Sequence, residues 1–130
     1  MEQQTEQWKR VLDKTEFIAI VTSGDEGAHT VGTWGDYART LGVEGEEVLI
    51  PVWGYHKTEE NIRNGSPVEL LLGTKTLQRP SGKFGQGCML SGKGEIQTSG
   101  SLAELTKKTF PGSRGVLIVT VEKVLYTYTD

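Results

Sequence analysis

Apolar positions along the chain recur at two periods. In residues 5–14 they fall at Trp8, Val11 and Leu12, the i, i+3, i+4 stripe of an amphipathic helix. Residues 17–21 are an apolar run that breaks at Ser23-Gly24-Asp25-Glu26-Gly27, a hairpin signal, with residues 29–34 as the return strand. Residues 48–52 form a third strand after the turn Glu44-Gly45-Glu46. Residues 58–64 read as a short helix with Thr58 as N-cap, Glu59 and Glu60 in the first turn and Gly65 as the stop. Pro67 leads into a strand over 68–72, and the Gly-, Pro- and polar-rich stretch 77–87 predicts a loop before strand character resumes over 88–97. Ser101-Leu102-Ala103-Glu104 has the form of a capping box, with Ser101 as N-cap of a helix to about Lys108 that Phe110-Pro111-Gly112 breaks. Residues 116–121 and 125–128 complete a long final strand. About six strands and three short helices make a mainly β (α+β) chain, read as a single domain over residues 1–130.

Two of these strands, 48–52 and 116–121, are nearly continuous apolar runs. A strand with one wet face alternates, so both of their faces need cover. A second copy of the chain and the short helices are equally good candidates for the outer cover on pattern alone.

Charge narrows the partners. Fourteen Lys and Arg stand against 17 Asp and Glu, and the basic residues are scattered, in runs no longer than the pair Lys107-Lys108. A surface built on phosphate neutralisation is basic, so nucleic acid and a membrane surface are both disfavoured. No apolar run approaches the ~20 residues of a membrane helix. The polar start over residues 1–10 lacks the apolar core of a secretory signal, and the single Cys88 excludes an intrachain disulfide; both fit a cytoplasmic location.

Several sites are missing from the sequence. There is no Gly-x4-Gly-Lys-Ser/Thr, and Gly85-Gln86-Gly87 does not continue to a third glycine at dinucleotide-binding spacing. His29 and His56 have no neighbouring Cys or carboxylate cluster, so a metal site is not expected. No Ser stands in Gly-x-Ser-x-Gly, and Cys88 reads as a buried small hydrophobe.

The informative stretch is Pro51-Val52-Trp53-Gly54-Tyr55-His56-Lys57-Thr58. A strand ends at a glycine and turns into a helix start that carries Lys57 and Thr58. Unpaired backbone N–H groups, a partial positive charge, an ammonium and a hydroxyl together suit a phosphate. Thr33-Trp34-Gly35-Asp36-Tyr37 ends the second strand with two aromatics around a glycine, and Trp53 and Tyr55 flank the phosphate candidate. Planar rings beside exposed backbone suit a planar heteroaromatic ligand.

On these residues the chain resembles the FMN-binding split-barrel family, which includes pyridoxamine 5′-phosphate oxidases and small flavin proteins. The resemblance rests on GAHTVGTWGDY, VLIPVWGYHKTEENI, LLLGTKT, the GQG loop and VLIVTV, and covers nearly the whole chain from about residue 8. It implies a six-stranded antiparallel split β-barrel and a homodimer with FMN at the interface. Carried over by position, Lys57 and Thr58 hold the phosphate, with His56 beside them as a candidate proton relay. Thr33, Trp34 and Tyr37 lie along the ribityl chain and ring, and Pro51, Val52, Trp53 and Gly54 lie at the flavin edge. Gly85, Gln86 and Gly87 line the site, and Phe110, Tyr126 and Tyr128 approach from the other subunit. The resemblance implies a redox or electron-transfer flavoprotein supplied by a redox protein or a small-molecule donor. The alternatives are a pyridoxamine 5′-phosphate oxidase-like or NAD(P)H-dependent flavin oxidoreductase, and a non-catalytic flavin-binding module. Vitamin B6 oxidation is disfavoured because the second strand carries no Arg and the chain ends without Arg-Leu-x-Pro. No catalytic acid or base is identified.

Overall fold

A computed structural model describes residues 2–127, with side chains for residues 7–127. Helix α1 (Glu2–Lys14) buries the expected stripe of Trp8, Val11 and Leu12. Thr15 then turns the chain. Its N–H bonds the Val11 carbonyl, and its hydroxyl donates to the Phe17 carbonyl at 2.7 Å and accepts the Gly73 N–H at 3.1 Å. Strands β1 (Phe17–Gly24) and β2 (Gly27–Trp34) form a hairpin in which Gly24 pairs with Gly27. Gly27 takes the φ of 97° that closes so tight a turn.

The pattern of apolar positions gives no sign of helix α2 (Gly35–Leu41), which buries one side chain, Ala38. Arg39 holds it from outside its own turn. Its guanidinium donates to the Leu12 carbonyl at 2.9 Å and the Thr15 carbonyl at 2.7 Å, and meets Asp36 at 2.5 Å. Orphan carbonyls at the end of α1 are thereby satisfied by the next helix.

The two-residue strand β3 (Val43–Glu44) pairs with β4 (Glu47–Val52) and brings the count to seven strands where six were expected. Helix α3 (His56–Arg63), strands β5 (Val68–Gln78) and β6 (Phe84–Gln97), helix α4 (Ser101–Thr109) and strand β7 (Gly115–Tyr126) follow. Every strand pair is antiparallel, in the order β2-β1-β5-β6-β7-β4-β3. The expected loop over 77–87 shrinks to residues 79–83, because the flanking polar and Gly residues pair as strand, Thr74 with Gln86 and Gln78 with Phe84. Neither expected side-chain cap forms. Tyr55 is the N-cap of α3 and Thr58 lies inside that helix; Gly100, at φ 99°, caps α4 and Ser101 is its first residue.

The larger core holds the inward residues of the strands with Trp8, Val11 and Leu12 laid over them. A second cluster answers the question of cover. Leu49, Val116 and Ile118, on the other face of β4 and β7, are buried with Ala103 under Leu41 of α2 and Leu102 of α4. The chain's own helices cover these strands, and their apolar outer faces do not call for a second copy. Cys88 lies fully in the core, where burial pushes its thiol up to about 12.

Between β6 and β7 the register slips. Ser91 pairs with Lys123 but Gly92 with Val121, so Glu122 is an extra residue on β7. Gly92 permits the close approach, since a Cβ there would stand 1.8 Å from the Thr120 carbonyl oxygen. Gly92→Ala is expected to destabilise the fold by ~1–3 kcal/mol, the usual range for forced overpacking. The measurement is a urea titration, in which the midpoint falls at unchanged slope.

Candidate functional site

The strand-to-helix corner after β4 is built by contacts from distant parts of the chain. Arg114, just before β7, donates its backbone N–H to the Val52 carbonyl at 2.7 Å. Its Nε and Nη2 both donate to the Gly54 carbonyl, at 2.9 and 2.7 Å. Tyr55 then adopts φ 63°, ψ 31°, the one positive φ of a non-glycine among the described residues. Such a conformation costs about 1 kcal/mol or more and persists where the surroundings enforce it. Here the enforcement is visible: the Tyr55 hydroxyl reaches across to donate to the Gly32 carbonyl on edge strand β2, at 2.5 Å. Burial raises the phenol above its ordinary value of 10.0, partly opposed by a hydrogen bond with the Thr33 side chain.

The corner leaves the start of α3 open. The first intrahelical bond runs from the Glu59 N–H to the Tyr55 carbonyl at 2.8 Å, and no side chain caps the end. The backbone N–H groups of His56, Lys57 and Thr58 are therefore without intrahelical partners. Thr58 Oγ1 is fully buried with no hydrogen-bond partner. Lys57 Nζ stands 3.4 Å from Glu60, a loose surface pair, and His56 is exposed. Glu59 is met by Arg114 at 2.8 Å and Arg63 at 3.1 Å.

Beside this helix end lies an aromatic cleft of about 320 Å³ lined by Phe17, Thr33, Trp34, Tyr37, Trp53 and Tyr55. Tyr37 packs on Trp53 with ring centroids 5.7 Å apart, and Phe17 stands edge-on to Trp34 at 5.7 Å. Trp34 and Trp53 remain 51% and 42% exposed, so the rings offer open faces. An open aromatic cleft next to unpaired N–H groups can hold a flat ring and an anionic tail at once.

The candidates divide by position. Thr33, Trp34, Tyr37, Trp53, His56, Lys57 and Thr58 gather at the cleft and the helix end. Pro51 and Val52 are buried in β4, and the carbonyls of Val52 and Gly54 are already taken by Arg114. Phe110, expected from a second subunit, lies on its own chain's Tyr37 and Trp53, at 5.1 and 5.9 Å. Tyr126 packs against its own core, and Leu125 is the exposed neighbour, because the extra residue in β7 inverts the alternation beyond it. Tyr128 lies outside the described residues. Gly85, Gln86 and Gly87 line a separate groove of about 1080 Å³, which shares Phe17 with the cleft and also holds Lys14, Lys75 and Arg79. Gln86 is buried there, donating to the Gln78 carbonyl at 3.0 Å and accepting from Gln7. Sequence reasoning missed Phe17 and Arg114. Phe17 was absorbed into a strand, and Arg114 acts on residues about sixty positions away, where no local pattern exists.

No protein-family model matches the chain. It is 33% identical over 111 residues to the FMN-binding protein of Nitratidesulfovibrio vulgaris (Miyazaki F), covering 85% of this chain and 88% of the relative. Among solved structures it resembles an FMN-binding protein from Syntrophomonas wolfei, with TM-score 0.68 and 12% identity over 99% of this chain and 89% of the other. A Clostridium acetobutylicum protein related to general stress protein 26, of the pyridoxinephosphate oxidase family, also gives TM-score 0.68, at 14% identity over 97% and 89% of the two chains. At these identities the solved structures speak to the fold.

The Tyr55 tether generates a measurable difference. Tyr55→Phe removes one hydrogen bond and should lower stability by ~1 kcal/mol near pH 7. A phenol raised in the folded state contributes stability that is present below pH 10.0 and is lost as pH climbs through the folded value. The variant should lack that alkaline loss. Cys88 contributes equally to both proteins, so the difference between their unfolding midpoints from pH 8 to 11 reads Tyr55.

Proposed function

The chain belongs to the FMN-binding split-barrel family, and from that membership we propose that it binds FMN in the cleft beside α3 as a redox flavoprotein, with two copies forming the working unit. The carrying observation is the uncapped start of α3 with Lys57 and the unpartnered Thr58 hydroxyl, adjoining open faces of Trp34 and Trp53. The residues fit the cofactor: the helix end takes the phosphate, Lys57 adds charge, and Thr33, Trp34, Tyr37 and Trp53 take the ribityl chain and ring. Bound FMN supplies reversible electron transfer, and the chain's part is to bind, orient and shield it. Electrons come from a redox protein or a small donor. Strand β2 carries no Arg, which speaks against a second phosphate clamp of the kind vitamin B6 oxidation needs.

The second copy is argued from a surface that the helices leave bare. Ala19, Leu71, Met89 and Leu125 pair in register across β1, β5, β6 and β7, forming one outward row. Leu71 is 45% exposed and Leu125 60%, and Phe17 at 49% continues the patch toward the cleft. A contiguous apolar row of this kind marks an interface. No helix among the described residues is long and apolar enough to cross a membrane, and a cytoplasmic setting accords with a lone reduced cysteine.

Lys57→Ala is expected to weaken FMN by about 10- to 150-fold, the loss of one charge-assisted hydrogen bond, and to leave riboflavin nearly unchanged. Equal losses for both ligands in fluorescence titration would remove the phosphate assignment. Leu71→Asp places a charge in the centre of the bare row. Sedimentation at micromolar concentration should then show the single-chain mass where the unmodified protein shows twice that; two monomers would overturn the pairing.

A further inference from the structure

We propose that Arg114 is a positioning residue of the phosphate site, pinning the corner before α3 and cancelling the carboxylate of Glu59. The inference rests on the reading of α3 as the phosphate site. The charges at this helix end conflict. Glu59 follows directly on the three free N–H groups of His56, Lys57 and Thr58. A first-turn acid normally complements the helix dipole. At an end that must receive a phosphate, the same carboxylate repels the ligand from within a Debye length, ~8 Å at physiological ionic strength. Its side chain is only 21% exposed, so water screens it poorly.

Arg114 removes the contradiction. Its Nη2 stands 2.8 Å from Glu59 Oε1, and its own side chain is only 24% exposed. The other cation on Glu59, Arg63, is 71% exposed on the solvent side, and its contact is longer at 3.1 Å. The guanidinium that neutralises Glu59 also donates twice to the Gly54 carbonyl, while the Arg114 backbone holds the Val52 carbonyl. The two residues flanking Trp53 are thus fixed by one side chain and its backbone. A planar fork with several donors can serve a carbonyl and a carboxylate together; an ammonium is a single point charge. Arg114 therefore acts twice: through charge on the phosphate and through geometry on the corner that carries Trp53.

The two actions separate in binding measurements with FMN and riboflavin on apoprotein. The FMN-to-riboflavin affinity ratio reads the charge, since only FMN carries the phosphate. In R114Q this ratio should fall about 5- to 20-fold at low salt, and less at high salt. The double variant R114Q/E59Q should restore it to within about twofold of the unmodified protein, a rescue that a purely structural role for Arg114 does not provide. R114K keeps the charge and loses the fork, so it should weaken both ligands by about the same factor and leave the ratio near its original value. If R114Q does not fold, E59Q alone carries the test, and the ratio should rise about threefold. An unchanged ratio in R114Q, a double variant without rescue, or an unchanged ratio in E59Q overturns the proposal. A starting protein with no preference for FMN overturns the phosphate reading along with it, whereas a strong FMN preference that R114Q leaves intact overturns only the role of Arg114.

Discussion

The bonds from Arg114 to the Gly54 carbonyl carry the pairing of β4 with β7 past the end of the strand and into the corner that precedes α3. On one side is the start of β7, which lies between β6 and β4; on the other is the corner where β4 gives way to α3. If that corner opened, the left-handed turn at Tyr55 would lose its enforcement and the free end of α3 would move relative to the rings of β2. Tyr55 ties the same corner to the opposite edge of the sheet through Gly32. The site is therefore assembled from strands far apart in the sheet order, β2 and β4, and its geometry is only as fixed as these crossings. A pocket held this way is preorganised, which reduces the ordering that binding must pay for.

Cover is distributed unevenly over the strands. Helices α2 and α4 seal the outer face of β4 and β7 through Leu41 and Leu102, while among the described residues the outward row from Ala19 to Leu125 has no helix above it. Each half of the molecule thus solves the same problem differently. Where the chain supplies its own lid the strands can be apolar throughout. Where it does not, a few large side chains stand among polar ones such as Glu69 and Lys123, and the surface stays compatible with water.

What could be read from the sequence follows from how local each cause is. The stripe of α1 and the apolar runs of β1, β4 and β7 were legible because burial imposes a period. The strand-to-helix corner before α3 was legible from Gly54 and the polar run that follows it, although Thr58 proved to lie within the helix and not to cap it. Helix α2 was not legible, because Arg39 stabilises it through carbonyls more than twenty residues back. The polar stretch over 77–87 read as loop for an understandable reason: the buried position there is a polar residue, Gln86, flanked by Gly85 and Gly87, so burial writes no apolar pattern. The inward turn of Tyr126 depends on one extra residue at Glu122, a shift that alternation cannot reveal in advance. Arg114 looked like any charged residue before a strand, since its partners are contributed by another part of the chain.

The sealed position of Cys88 has a practical side. Its thiol is the chain's only one, fully enclosed between β5 and β7, and its high proton affinity leaves almost no thiolate at neutral pH. Toward thiol reagents the folded protein is therefore expected to react as though it had no cysteine. A single cysteine introduced on the surface, at the hairpin tip or on α4, is then the sole attachment point for a dye or spin label. Distances between such a label and a bound flavin become accessible without first disturbing the core.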